Sequence, residues 1–236
     1  AHIDDIRSVL QNVRELLADD GFFVIEFAYL VTMLEKMYFD MVYHEHVCYI
    51  GVTALDLFTT RFGMEIFDIK PVDTHGGSLR VFIQKKGGPR ARAGVVGRYL
   101  ADEKQKGCCE DRVYGEFAER VLGFRSELNG MLDGIKKEGK SVCGYGAPAK
   151  ATTIVNFCGL TPREIEFIVD DNPLKQGRLV PGAGIPIVPS ARLQDVPPDY
   201  VLIFAWNFAP EIMKKIGFLR DRGVRFIVPL PRPVLV

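Results

Sequence analysis

Apolar residues at Ile6, Val9, Leu10, Val13, Leu16 and Leu17 recur at the spacing of one helix face, and Asp19-Asp20-Gly21 interrupts the pattern before an apolar run, Phe22 to Phe27. The chain therefore opens on a helix feeding a strand. Thr53 with Asp56 reads as a capping box for a short helix carrying Leu55, Phe58 and Phe62, which Gly63 ends. Met64 to Ile69 and Ser78 to Ile83 are strands, and the stretch between them is too short for a crossover helix, so they should pair as an antiparallel hairpin. Together these elements look like the second half of a larger α/β sheet, with no first half ahead of His2.

The basic, glycine-rich segment Lys85 to Arg92 reads as a solvated linker rather than a nucleic-acid patch, and it divides the chain into residues 1–85, a linker and long helix over 86–139, and residues 140–236. On that long helix Val113, Phe117, Val121, Phe124, Leu128, Leu132 and Ile135 form one apolar stripe, which packs on a sheet or on another copy of itself. Beyond it the pattern alternates. Ser141 to Tyr145 is a strand, a glycine turn leads into a helix from Pro148 to Cys158, and Ile165 to Val169 is a strand ending in Asp170-Asp171-Asn172-Pro173. Strand Tyr200 to Ala205, helix Pro210 to Arg220 and strand Val224 to Val228 complete a parallel sheet of mononucleotide-binding topology. Ligands of such sheets sit at the carboxyl ends of the strands, so Gly144, Gly146, Lys150, Asp171, Asn172, Lys175 and Asn207 are expected to face one crevice.

Composition excludes several classes. With 30 basic and 30 acidic residues in 236, the chain has no global field to attract nucleic acid or an anionic membrane. Its apolar runs are far shorter than the roughly 20 residues of a membrane span, and no signal-peptide pattern opens it, so a cytoplasmic location is expected. The five cysteines form no CxxC pair, which fits reduced thiols without disulfides or structural zinc, and Cys48 reads as a small core residue.

Candidate chemistry concentrates early. Tyr43-His44-Glu45-His46 places two of the four histidines beside a carboxylate and a phenol, and His75 opens the segment that leads to Arg80. Imidazole titrates near neutral pH and a carboxylate can orient it, a combination suited to a general base. His44 is the solvated member, and a metal held by His44, His46 and His75 lacks a third ligand at fixed spacing. In the later half, the glycines of GYGAPAK and the helix behind them favour an anion, with Lys150 adding a charge, although Ala149 stands where a dinucleotide fingerprint has its third glycine. A glycine turn needed only for packing is the plainer alternative, and an NAD(P)-dependent oxidoreductase or a nucleotide-sugar-binding module without activity are the others. Trp206 either seals the core or stacks on a base.

The motifs YHEH, HGGSLR, GYGAPAK, VDDNPLKQG, PGAGIPI and FAWNF, in that order over essentially the whole chain, resemble the sugar C-methyltransferases that act on nucleotide-linked deoxysugars. The resemblance implies a partial class I methyltransferase sheet, a long helix and a Rossmann-like parallel α/β domain. It covers the second half of the family's central domain and its C-terminal domain. The family's zinc-binding domain and its glycine-rich loop for S-adenosylmethionine have no counterpart here, so the chain resembles a fragment expected to bind that donor poorly alone. By the same resemblance His46 is the base that takes a proton from the carbon beside a ketone, Glu45 its partner, Tyr43 a donor to the sugar or its enolate, and His2 a further active-site histidine. His75 and Arg80 would shape the sugar pocket, and Lys150, Asn172, Lys175 and Asn207 would contact the nucleotide diphosphate of the substrate. An oligomer is compatible with all of this.

Overall fold

The computed structural model describes residues 1–236, with only the side chain of His75 outside the described set. The chain forms two compact units, Ala1–Glu35 with His44–Phe117, and Lys36–Tyr43 with Ala118–Val236.

In the first unit, α1 (Ile6–Leu16) is capped by Asp5, whose carboxylate accepts from the Ser8 amide at 3.0 Å. Then come β1 (Phe23–Ala28), α2 (Leu30–Glu35), α3 (Val52–Arg61), β2 (Met64–Val72), β3 (Ser78–Lys85), α4 (Gly94–Gln105) and the start of α5 (Asp111–Lys137). The strands lie in the order β1-β3-β2, both pairings antiparallel, so the expected hairpin is present. Alternation sets the faces: Leu79, Val81 and Ile83 of β3 are buried with Leu10, Val52, Leu55 and Val96. Leu16 departs from the predicted stripe and is 85% exposed, because it lies at the last turn of α1.

One further expectation fails here for an identifiable reason. The N-cap of α3 is Gly51, and its side-chain acceptor is not in the helix: the buried carboxylate of Glu103 on α4 accepts from the amides of Val52 and Thr53 at 2.5 and 2.8 Å, and from the Tyr29 hydroxyl at 2.9 Å. The local Thr53–Asp56 capping box is thus replaced by a remote carboxylate at the helix's positive end. Lys85 to Arg92 is the mostly exposed, irregular connection expected, and it is also tied to the first unit. A bulge between Ile66 and Asp68 leaves Phe67 outside the ladder, and its carbonyl accepts from Ala93 at 2.8 Å. The Arg90 guanidinium lies 4.7 Å from the Phe22 ring and 5.5 Å from Phe67, and it donates to the Asp20 carbonyl at 2.7 Å. Gln84, fully buried, closes the segment by bonding both the carbonyl and the amide of Arg90.

In the second unit a 3-10 turn at Phe39–Met41 packs with α6 (Ala149–Cys158). The remaining elements are β4 (Val142–Tyr145), β5 (Ile168–Val169), β6 (Ile187–Val188), α7 (Arg192–Asp195), β7 (Tyr200–Ile203), α8 (Ala209–Lys215), β8 (Arg225–Val228) and β9 (Val234–Leu235). The sheet order is β6-β5-β4-β7-β8-β9, parallel except for β9. The four predicted strands are all present, with β6 and β9 added. The molecule is thus an α/β protein with an antiparallel and a mostly parallel sheet. On one face of the parallel sheet Cys143, Tyr145, Val201 and Ile203 join Ile212, Ile216 and Leu219. Phe124, Leu128, Leu132 and Ile135 of α5 are the buried part of its stripe.

Candidate functional site

The candidate residues fall into both units, and the YHEH motif itself divides: Tyr43 belongs to the second unit and His44, Glu45 and His46 to the first.

In the first unit the motif is an irregular segment whose carboxyl end is tied to the amino terminus of the chain by a hydrogen bond from the Val47 amide to the Ala1 carbonyl at 2.9 Å. That bond brings two distant histidines together. The His2 and His46 rings meet edge to face, centroids 4.9 Å apart, and the Tyr49 ring lies 6.2 Å from that of His46. His46 is half-buried, while His2, His44 and Glu45 are exposed. A half-buried imidazole remains within reach of a ligand, as a general base must be. Arg80 stands elsewhere, on the sheet face opposite the core, where both of its donors bond one oxygen of Glu26, its direct cross-strand partner, at 2.8 and 3.1 Å. The side chain of His75 lies outside the described residues. Cys48 is half-buried rather than a core residue, and the five cysteines are free thiols. No group of three or more metal-ligating side chains occurs among the described residues.

In the second unit the glycine turn is shaped by contact as much as by conformation. A Cβ on Gly144 would meet Ile168 and Phe204 at 2.7 Å, and Gly146, at φ +84°, closes on the Ala205 methyl group. Where a parallel sheet of this topology offers amides to an anion, the chain supplies its own. The Asp170 carboxylate accepts from the Ala147 amide at 2.7 Å and from the Asn172 amide at 2.8 Å, and Lys175 donates to the Ala147 carbonyl at 2.8 Å with Asp170 at 3.5 Å. Asn172 turns its side-chain oxygen to the Leu174 amide. Asp171, next in sequence, pairs instead with Lys215 at 2.7 Å and with the Tyr145 hydroxyl at 3.1 Å, which hold its carboxyl below the usual range.

Lys150 and Asn207 are brought together: the Lys150 ammonium donates to the Asn207 side-chain oxygen and lies 4.1 Å from the centre of the Trp206 ring. Burial lowers the Lys150 ammonium to about 8, against the pull of the Asp40 charge. Trp206 is itself buried, which decides between its two expected roles in favour of the core, and its ring stacks on Tyr38 at 4.3 Å. The indole nitrogen donates at 2.5 Å to Asp40, a residue with no exposed surface. Burial raises the Asp40 carboxyl to about 6, with the Trp206 hydrogen bond and Lys150 opposing it. Asp40 and Tyr38 were not among the expected site residues. Their signal is a lone carboxylate inside the apolar run Met37 to Tyr43.

An adenosyl donor needs amides presented by a strand, a glycine turn and a helix. In the first unit all three strands pair antiparallel, and β1 runs into α2 through Tyr29 without a glycine; in the second, Asp170 fills the turn. These residues do not fit S-adenosylmethionine, and none is assigned to it.

Residues 73–231 match the family model described as C-methyltransferase C-terminal domain. The chain is also similar to a protein of Streptomyces niveus, the C-methyltransferase NovU, with 39% identity over all 236 residues. The chain spans 56% of the length of that relative.

Proposed function

The chain belongs to the C-methyltransferase C-terminal domain family, and on that footing we propose that it is part of an S-adenosylmethionine-dependent enzyme that methylates the carbon beside the ketone of a nucleotide-linked keto-deoxysugar. The observation that carries the proposal is the His2–His46 ring pair, formed by residues 44 positions apart at the motif where proton transfer was expected.

In this reading His46 removes the proton: the carbon–hydrogen bond breaks, the proton moves to the imidazole, and the electron pair spreads onto the ketone oxygen as an enolate. The Tyr43 hydroxyl donates a hydrogen bond to that oxygen, where charge develops. Glu45 stabilises the imidazolium, and the His2 ring fixes the tilt of His46. Lys150, Asn172, Lys175 and Asn207, which follow the carboxyl ends of β4, β5 and β7, hold the nucleotide diphosphate, Lys175 and Asn207 by exchanging their internal partners for phosphate oxygens. The residues 1–85 act as the second half of a catalytic domain and 140–236 as the substrate-holding domain.

The test is transfer of labelled methyl from S-adenosylmethionine to a set of nucleotide-linked keto-deoxysugars by the full-length gene product. Label appearing on carbon supports the proposal, and no transfer to any of them refutes it.

A further inference from the structure

The stretch Lys36–Tyr43 departs from the rest of the amino-terminal half and is held by the second unit. Three contacts hold it. Phe39 packs on the rings of Phe124 and Phe157, at 4.9 and 5.3 Å. Tyr38 stacks on Trp206. Asp40, between them, accepts from the Trp206 indole and is the only polar side chain of the stretch that is fully buried. Such a bond does more than packing can, because it has a direction. A carboxylate sealed from water, with one side-chain donor besides the neighbouring amides of Asp40 and Met41, ties the ring that reaches it to its own stretch of backbone, and losing that donor leaves the charge poorly served. Its other oxygen has no hydrogen-bond partner among the described residues, so the indole is the side-chain donor on which the geometry turns.

The backbone after Asp40 transmits that geometry over a short distance. The Met41 amide donates to the Tyr38 carbonyl, Val42 to Phe39 and Tyr43 to Met41, at 3.2, 2.9 and 3.2 Å. Tyr43 is therefore the end of a hydrogen-bonded turn that starts at Tyr38 and encloses Asp40.

We propose that the Asp40–Trp206 hydrogen bond is a positioning clamp through which the second unit sets the place of the Tyr43 hydroxyl during proton abstraction. The proposal rests on the reading of Tyr43 as the donor to the enolate oxygen. Asp40 and Trp206 are positioning residues, since neither is argued to touch the sugar. The titratable groups facing Asp40 are Lys150 of α6 and Tyr38 of its own stretch, while Phe124 of α5 brings none.

The variants Trp206→Phe, Tyr43→Phe and the double variant, assayed for methyl transfer in the full-length protein with folding checked by circular dichroism, decide the matter. Trp206→Phe keeps a ring against Tyr38 and removes the donor; kcat should fall on the order of ten-fold or more, as small displacements of catalytic groups do, with KM changed by less than about two-fold. The double variant should be no slower than Tyr43→Phe alone, because a clamp acting through the phenol has nothing left to position. Asp40→Asn, which still accepts from the indole, should keep most of the turnover, whereas Asp40→Ala should behave as Trp206→Phe does. Losses that multiply in the double variant would reduce the clamp to a stability contact and overturn the proposal. So would a Trp206→Phe protein with unchanged kcat while Tyr43→Phe is slow. An unimpaired Tyr43→Phe would instead remove the role of Tyr43 itself, and the clamp's function with it.

Discussion

The side chain of Asp170 accepts a hydrogen bond from the backbone amide of Ala147 at 2.7 Å, so the glycine turn of the parallel sheet is closed by a carboxylate of the chain itself. An anion brought by a ligand would have to displace it. That relationship argues against an NAD(P)-dependent reading, in which the dinucleotide's pyrophosphate occupies such amides.

Asp170→Ala should lower the stability of the protein by about 2–4 kcal/mol in chemical denaturation, since the Ala147 and Asn172 amides lose a charged acceptor in a nearly buried place. In the unsubstituted protein NADH should leave the emission of Trp206, the only tryptophan, unchanged. Saturable quenching would speak for a dinucleotide site.

Glu103 serves three donors at once from a 2% exposed position. Glu103→Ala should cost about 3 kcal/mol or more in a urea melt, and Glu103→Gln, which retains an acceptor, markedly less. Equal costs for the two would mean that the charge, not the acceptor, holds the start of α3.

Much of the architecture could be read directly from periodicity. The β2–β3 hairpin, α5 and the alternation of β4, α6, β5, β7 and β8 rest on residues close together in the chain, so their spacing carries the signal. The two-residue strands β6 and β9 are too short to show a period, and they form only because β5 and β8 present open edges. Contacts that span the chain were equally hidden. Glu103 reaches back 51 residues to Val52, and Trp206 reaches 166 residues to Asp40, and no local pattern encodes either. At the candidate site the motif showed which residues to suspect, but His2 and His46 become neighbours only through folding.

Asp40 also makes stability depend on pH in a defined direction. Its folded carboxyl titrates at about 6, above the ordinary 3.8, so the folded state binds this proton more tightly than the unfolded one. The contribution is fully present below about 4 and is lost as pH rises through about 6. Relative to Asp40→Asn, stability measured by denaturant melts should fall by about 2–3 kcal/mol between pH 4 and 7 and then level off. A flat difference would mean that Asp40 ionises freely.

Lys150 is proposed to meet the nucleotide diphosphate. Calorimetry with thymidine diphosphate should show affinity reduced about ten-fold or more in Lys150→Ala, the loss of one charge-assisted hydrogen bond to phosphate. An unchanged affinity would remove Lys150 from that role and leave it as a partner of Asn207 and Trp206 alone.

The most direct test of the central claim, that His46 strips a proton from the carbon beside a ketone, needs no methyl donor. A nucleotide-linked keto-deoxysugar is incubated with the full-length protein in deuterium oxide, and exchange at that carbon is followed by proton NMR. The protein should catalyse the exchange, and His46→Ala should slow it by about 100-fold or more, the usual worth of a positioned base. Exchange at an undiminished rate in His46→Ala would contradict the account.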